Sequence, residues 1–80
     1  MQSVETEKIL MTEVEINKEP VELYKILKFE GIASSGGEAK SIIAGGLVTV
    51  NGEVETRKRK KMSAGDTIEF ASEKYLLRLA

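Results

Sequence analysis

Residues 34–54, SSGGEAKSIIAGGLVTVNGEV, combine the signals of a capped helix with those of a tight hairpin. Ser35 followed by Glu38 has the spacing of a capping box, which satisfies the first free N–H groups of a helix. An apolar stripe and terminating glycines follow at helical spacing: Ala39, Ile42, Ile43, Gly45 and Gly46. The first half of the stretch therefore predicts a short helix that starts at Ser35.

The second half of the stretch predicts a β-hairpin. Asn51-Gly52 separates the apolar residues LVTV from the segment EVET. A type I′ turn needs a positive φ at both central positions, and Asn-Gly is the pair that adopts it most readily. We therefore expect two antiparallel strands on either side of Asn51-Gly52.

Upstream of this stretch, EPVELYKILKFEG (residues 19–31) predicts a first helix. Pro20 suits its first turn, and Gly31 suits the position just past its end. The apolar residues between them recur at helical spacing, and they are Val21, Leu23, Tyr24, Ile26 and Leu27. This spacing leaves Lys25 and Lys28 on the outer face.

Three further segments, TEVEI (12–16), TIEF (67–70) and YLLRL (75–79), alternate as half-buried strands do. The side chains predicted to face the core are Thr12, Val14, Ile16, Ile68, Phe70, Tyr75, Leu77 and Leu79. We expect an α+β domain at residues 11–80, with two short helices packed on a small, mainly antiparallel sheet. Residues 1–10 are expected to be a flexible N-terminus.

The composition argues against catalysis. The chain has no cysteine and no histidine, so thiolate chemistry and a Ser-His-Asp arrangement are excluded. Its carboxylates alternate with apolar residues or lie on helix exteriors, as solvated surface does. We expect no catalytic residues, no metal and no cofactor. We also expect a cytoplasmic protein without membrane contact, because the sequence has neither a secretory signal nor an apolar run of roughly 20 residues.

Five consecutive cations form a basic run, Arg57–Lys61, in a chain whose formal net charge is -1. The run comprises Arg57, Lys58, Arg59, Lys60 and Lys61. One interpretation is a solvated loop, partly neutralised by Glu53 and Glu55. The other is a surface that binds an anion, because arginine presents a planar fork to phosphate and lysine a point charge.

Gly36 and Gly37 fall in the first turn of the second helix, where glycine costs about 1 kcal/mol relative to alanine. A helix N-terminus carries free N–H groups, and removing side chains there lets a phosphate approach the backbone. Lys40 adds a full charge one turn later. A flexible junction would also explain the glycines, but the basic run and the glycines together favour an anion site.

The order of these motifs resembles the S4 RNA-binding domain. Its pattern is Leu-x3-Leu-x3-Gly, Ser-Arg-x-x-Ala-x-x-Leu-Ile-x-x-Gly, Val-x-Val-Asn-Gly and a final Gly-Asp. The matching residues here are Leu23, Leu27, Gly31, Ser35, Ala39, Ile42, Ile43, Gly45, Gly46, Val48, Val50, Asn51, Gly52, Gly65 and Asp66. The match covers about residues 21–70. The SGGEAK and ETRKRKK segments further resemble the small stand-alone bacterial S4-like proteins.

The resemblance implies an S4-like (αL motif) fold and non-catalytic RNA binding, with Ser35 and Lys40 as RNA-facing positions. The chain departs from the family at Gly36, where arginine is usual, and at Glu22 and Tyr24, where many members have Arg and Asp. Our hypothesis is that the amides of Gly36 and Gly37, with the basic run, replace the missing arginine. Lys25 and Lys28 are expected to lie on the same surface as Lys40.

Structured RNA, ribosomal or transfer, is therefore the expected partner of the protein. We also expect a monomer that associates with the ribosome. The contacts are expected to go to backbone phosphates. The alternative is an adaptor whose basic patch meets another protein, for example a ribosomal protein. Base stacking by Tyr24 or Phe29 is less favoured, because both residues fit helix packing.

Overall fold

Two helices share one apolar core with a five-stranded sheet in the computed structural model, which describes residues 11–80. The predicted flexible segment, residues 1–10, lies outside the described residues. In chain order the elements are β1 (Met11–Ile16), β2 (Val21–Glu22), α1 (Leu23–Phe29), α2 (Gly36–Ala44), β3 (Thr49–Val50), β4 (Glu53–Val54), β5 (Lys61–Met62), β6 (Thr67–Phe70) and β7 (Glu73–Leu79).

The main sheet has the order β1-β7-β6-β3-β4, and only the β1–β7 pair within it is parallel. A separate two-stranded ribbon joins β2 to β5. The ribbon was not predicted, because two residues per strand leave no alternation to read. Its effect is to tie the end of the basic run to the start of α1.

The core lies between the two helices and the sheet. Leu23 and Leu27 of α1 and Ile43 of α2 are fully buried, as are Ile68 and Leu77 of the sheet. Val14 and Ile16 are buried as predicted, whereas Thr12 on the same side of β1 is exposed. Within residues 11–80, neither helix has the length and apolar character needed to cross a membrane.

The ends of the helices follow the predicted signals, with one exception. Gly31 and Gly46 have φ values of +74° and +78°, and each lies just past a helix end. In both cases the N–H of the glycine and the N–H of the next residue donate to carbonyls of the last helical turn, as in a Schellman motif. Pro20 was wrongly placed in the first turn of α1. The helix starts at Leu23, because Val21 and Glu22 pair with β5 instead.

The Asn-Gly hairpin forms as predicted, with φ values of +53° at Asn51 and +89° at Gly52. Asn51 also bonds to the following Gly-Asp turn. Its Nδ2 donates to Asp66 Oδ1 at 3.1 Å, and its Oδ1 accepts from the Thr67 N–H at 2.9 Å. Two motifs that looked independent along the sequence therefore form one hydrogen-bonded unit.

The exposure of one aliphatic and one aromatic side chain differs from the expectation. Leu79 is 53% exposed, because β6 pairs with β7 only as far as Leu76 and leaves the end of β7 beside β1 alone. Phe29, for which helix packing was favoured, is 68% exposed at the end of α1. Phe70 and Tyr75 are half-buried and pack against the core.

Candidate nucleic-acid interface

The start of α2 is capped largely as the sequence predicts. The Ser35 hydroxyl accepts a hydrogen bond from the Glu38 N–H at 3.1 Å. The carboxylate of Glu38 does not close the box on Ser35, however. It accepts from the N–H and the hydroxyl of Ser34, at 2.6 and 2.8 Å, and these bonds lower the pKa of Glu38. The cap therefore fixes the chain that leads into Gly36.

Neither crowding nor backbone conformation requires glycine at the start of α2. An added Cβ at Gly36 would lie 3.7 Å from Tyr24 Cε2 and 4.0 Å from Lys28 Cδ, which are ordinary contacts. Neither Gly36 nor Gly37 has a positive φ. Within residues 11–80, their N–H groups donate to no protein acceptor. These glycines leave the helix opening bare on its outer side.

Tyr24 of α1 lies at the meeting point of both helices and the basic run. Lys40 Nζ of α2 lies 4.6 Å from the centre of its ring, and Arg59 Cζ lies 5.3 Å from it. Both distances are within the range of cation–π attraction. We call Tyr24, Lys28, Gly36, Lys40 and Arg59 the Tyr24 surface. The glycine-opened helix and the basic run, predicted to form one site, thus adjoin on one face.

Backbone hydrogen bonds attach the basic run to α1. The Leu23 N–H donates to the Lys60 carbonyl at 2.9 Å, and the Tyr24 N–H donates to the Lys58 carbonyl at 3.1 Å. The first turn of a helix has no internal acceptors for these N–H groups, so the run completes the helix start. The run is therefore an ordered part of the domain, and the guanidinium of Arg59 lies beside Tyr24.

The two arginines of the run are already paired with carboxylates. Arg57 Nε and Nη2 donate to the two oxygens of Glu55 at 2.9 and 3.1 Å, a bidentate fork. Arg59 Nη1 donates to Glu22 Oε1 at 3.3 Å, and Lys25 Nζ lies 3.7 Å from the same oxygen. The solvated-loop interpretation included neutralisation by Glu53 and Glu55. The structure shows the Glu55 pair, whereas Glu53 forms no ion pair within residues 11–80 and Glu22 had no predicted part.

Three lysines of the run, Lys58, Lys60 and Lys61, form no ion pair within residues 11–80, and neither do Lys28 and Lys40. Lys60 also borders a polar cleft of about 320 Å³ beside the β3–β4 hairpin. Cationic side chains thus extend from the opening of α2, past Tyr24, towards this hairpin. Lys25 belongs to the edge of this strip, because it also lines a groove between α1 and β1.

The Glu55–Arg57 pair predicts a pH dependence of stability. Hydrogen bonds from the Arg57 side chain and then its N–H lower the pKa of Glu55 to about 2, against an ordinary value of about 4.3. Because the folded pKa is depressed, the pair stabilises the fold fully above about pH 5 and loses this effect as the pH falls towards 2. Urea unfolding of the wild type and Glu55→Gln should differ less and less over that range. A difference that is independent of pH would contradict the assignment.

The described part of the chain does not bring three carboxylates together as a metal site would require. The groups that the Tyr24 surface and the basic run offer to a ligand are cationic side chains and free backbone amides, which are the groups that suit anions. The sequence did not identify Tyr24 as the residue that joins α2 to the basic run. The four-residue spacing from Tyr24 to Lys28, which places both on one helix face, was the available signal.

Comparison with known proteins agrees with this architecture. A family model described as S4 domain matches residues 14–78. The chain belongs to the S4 domain family. YbcJ of Escherichia coli (strain K12) and YbcJ of Shigella flexneri are each 52% identical to this S4 domain over 62 residues, which cover 76% of the chain and 89% of each relative.

Solved structures confirm the S4-like α+β fold. The solution structure of E. coli YbcJ, described as revealing an αL motif involved in RNA binding, has a TM-score of 0.66 and 46% identity. The alignment covers 89% of this chain and 90% of YbcJ. The crystal structure of 30S ribosomal protein S4e from Thermoplasma acidophilum has a TM-score of 0.63 and 30% identity, over 75% of this chain and 32% of S4e.

Proposed function

We propose that this S4 domain binds structured RNA through backbone phosphates and without catalysis. The observation that carries the proposal is the contact of Tyr24 with both Lys40 and Arg59, which joins the opening of α2 to the basic run. Bare amides and a strip of lysines on one face suit sugar-phosphate, which is recognised by shape and charge in folded RNA. Ser35 contributes by holding the helix opening in place.

The RNA in this proposal is ribosomal or transfer RNA, bound by a cytoplasmic, ribosome-associated monomer. Support comes from two relatives: the described RNA-binding motif of YbcJ, and the ribosomal origin of S4e. Arg57 plays a smaller part than the sequence suggested, because Glu55 occupies its fork. The phosphate contacts in this proposal come mainly from Lys28, Lys40, Lys58, Lys60 and Lys61.

A salt titration tests the proposal. Five lysines that neutralise about five phosphates should give a slope of log K against log salt of about −3.5 to −4.5. Fluorescence anisotropy with a labelled RNA hairpin, repeated with a DNA duplex of the same length, measures both this slope and the preference for RNA. Absence of binding at low salt, or a slope shallower than about −1, would refute the proposal.

A further inference from the structure

Arg57 and Arg59 of the basic run each pair with a carboxylate, and the two pairs differ in their number of hydrogen bonds. Arg57 meets Glu55 through two side-chain contacts, and its own N–H donates to Glu55 Oε2 at 2.8 Å. The Glu55 side chain is only 12% exposed. An incoming phosphate would have to break three hydrogen bonds to displace it. Arg57 therefore braces the loop and remains with Glu55.

The Arg59–Glu22 pair is open by comparison. It rests on one contact of 3.3 Å, and the Glu22 side chain is 20% exposed, against 12% for Glu55. Glu22 also has a second cation, since Lys25 Nζ lies 3.7 Å from the same oxygen. If Arg59 turns to another anion, Glu22 still keeps a positive neighbour. The contact of Arg59 with Tyr24 keeps the guanidinium on the Tyr24 surface during such an exchange.

We propose that Glu22 acts as an exchangeable counter-ion of Arg59 and thereby limits how tightly this surface binds an anion. This inference rests on the proposed RNA binding. RNA phosphate takes over the guanidinium of Arg59, and Lys25 retains the released carboxylate. Each ligand must therefore compete with a carboxylate that is already in place.

The exchange has a measurable effect on affinity. In the wild type, RNA phosphate must displace the Glu22 carboxylate before it can contact Arg59. In Glu22→Gln, Arg59 is free before binding, and the same contact needs no displacement. Affinity for RNA at 0.1 M salt should then be about two- to fivefold higher, the range expected for one exposed ion pair.

A double-mutant cycle tests the exchange with the hairpin and a single-stranded RNA as probes. Glu22→Gln is measured in the wild type and in Arg59→Gln, where no gain is expected because the exchanged cation is gone. Glu30→Gln, on the same helix end as Phe29, removes the same charge away from the basic run and should change affinity less than twofold. Glu22→Asp, which withdraws the carboxylate, should give an intermediate gain. Circular dichroism checks that every variant is folded.

The outcomes separate this inference from the proposed function. An equal gain from Glu22→Gln with and without Arg59 would show that Glu22 acts only as a diffuse charge, and would overturn the exchange. If the wild type binds neither RNA at low salt, the proposed function itself fails.

Discussion

Replacing Lys58, Lys60 and Lys61 together by glutamine is expected to weaken binding of a folded RNA hairpin about 100-fold at 0.1 M salt. Each lysine that contacts a phosphate steepens the salt slope by about 0.7–0.9, so the triple variant should lose about two to three units of slope. The plots of log K against log salt for the wild type and the triple variant should converge near 1 M salt, where counter-ion release no longer drives binding. Anisotropy titrations at four or five salt concentrations measure both quantities.

The control removes three cations elsewhere. Lys18, Lys74 and Arg78 lie outside the Tyr24 surface and the basic run, and their replacement by glutamine changes the net charge equally. This control variant should lose less than about fivefold in affinity, because these three side chains belong neither to the Tyr24 surface nor to the basic run and act on bound phosphate only through screened solvent. Equal losses in both triple variants would mean that net charge alone attracts RNA, and that no localised interface exists.

Leu27→Ala is expected to lower the free energy of unfolding by about 2–5 kcal/mol. The Leu27 side chain is fully buried in the core shared by both helices and the sheet. Its loss removes apolar burial and leaves a cavity beneath the helix whose first turn anchors the basic run. The total free energy of unfolding of a domain of this size is only roughly 4–12 kcal/mol, so the variant should unfold at a much lower urea concentration. Urea denaturation followed by circular dichroism measures the shift.

Leu47→Ala is the matched comparison. It removes the same atoms from a side chain that is 60% exposed at the end of α2, and should cost less than about 0.5 kcal/mol. An unchanged m-value in both variants would show that the change lies in stability and not in the denatured state. Similar losses for Leu27→Ala and Leu47→Ala would contradict the burial of Leu27.

The sequence predicted which residues belong to the candidate site, but it did not predict which of them form ion pairs. Ser35, Gly36, Gly37 and Lys40 lie at the helix opening as the motif indicates, since capping depends on residues within one turn. The basic run was evident from composition. The sequence did not show that the arginines of the run pair with carboxylates while its lysines form no ion pair within residues 11–80. Arg59 and Glu22, for example, are 37 positions apart and meet only because the β2–β5 ribbon brings them together.

Local signals thus decide where this chain turns and where its helices end. A positive φ at Gly31, Gly46, Asn51 and Gly52 and a cap at Ser35 depend on a few neighbouring residues, which any reader of the sequence can see. Long-range packing decides the rest: the start of α1 at Leu23, the exposure of Phe29 and Leu79, and the convergence on Tyr24. These depend on which distant segments supply hydrogen-bond partners and cover, and no pattern of period two or 3.6 encodes that choice.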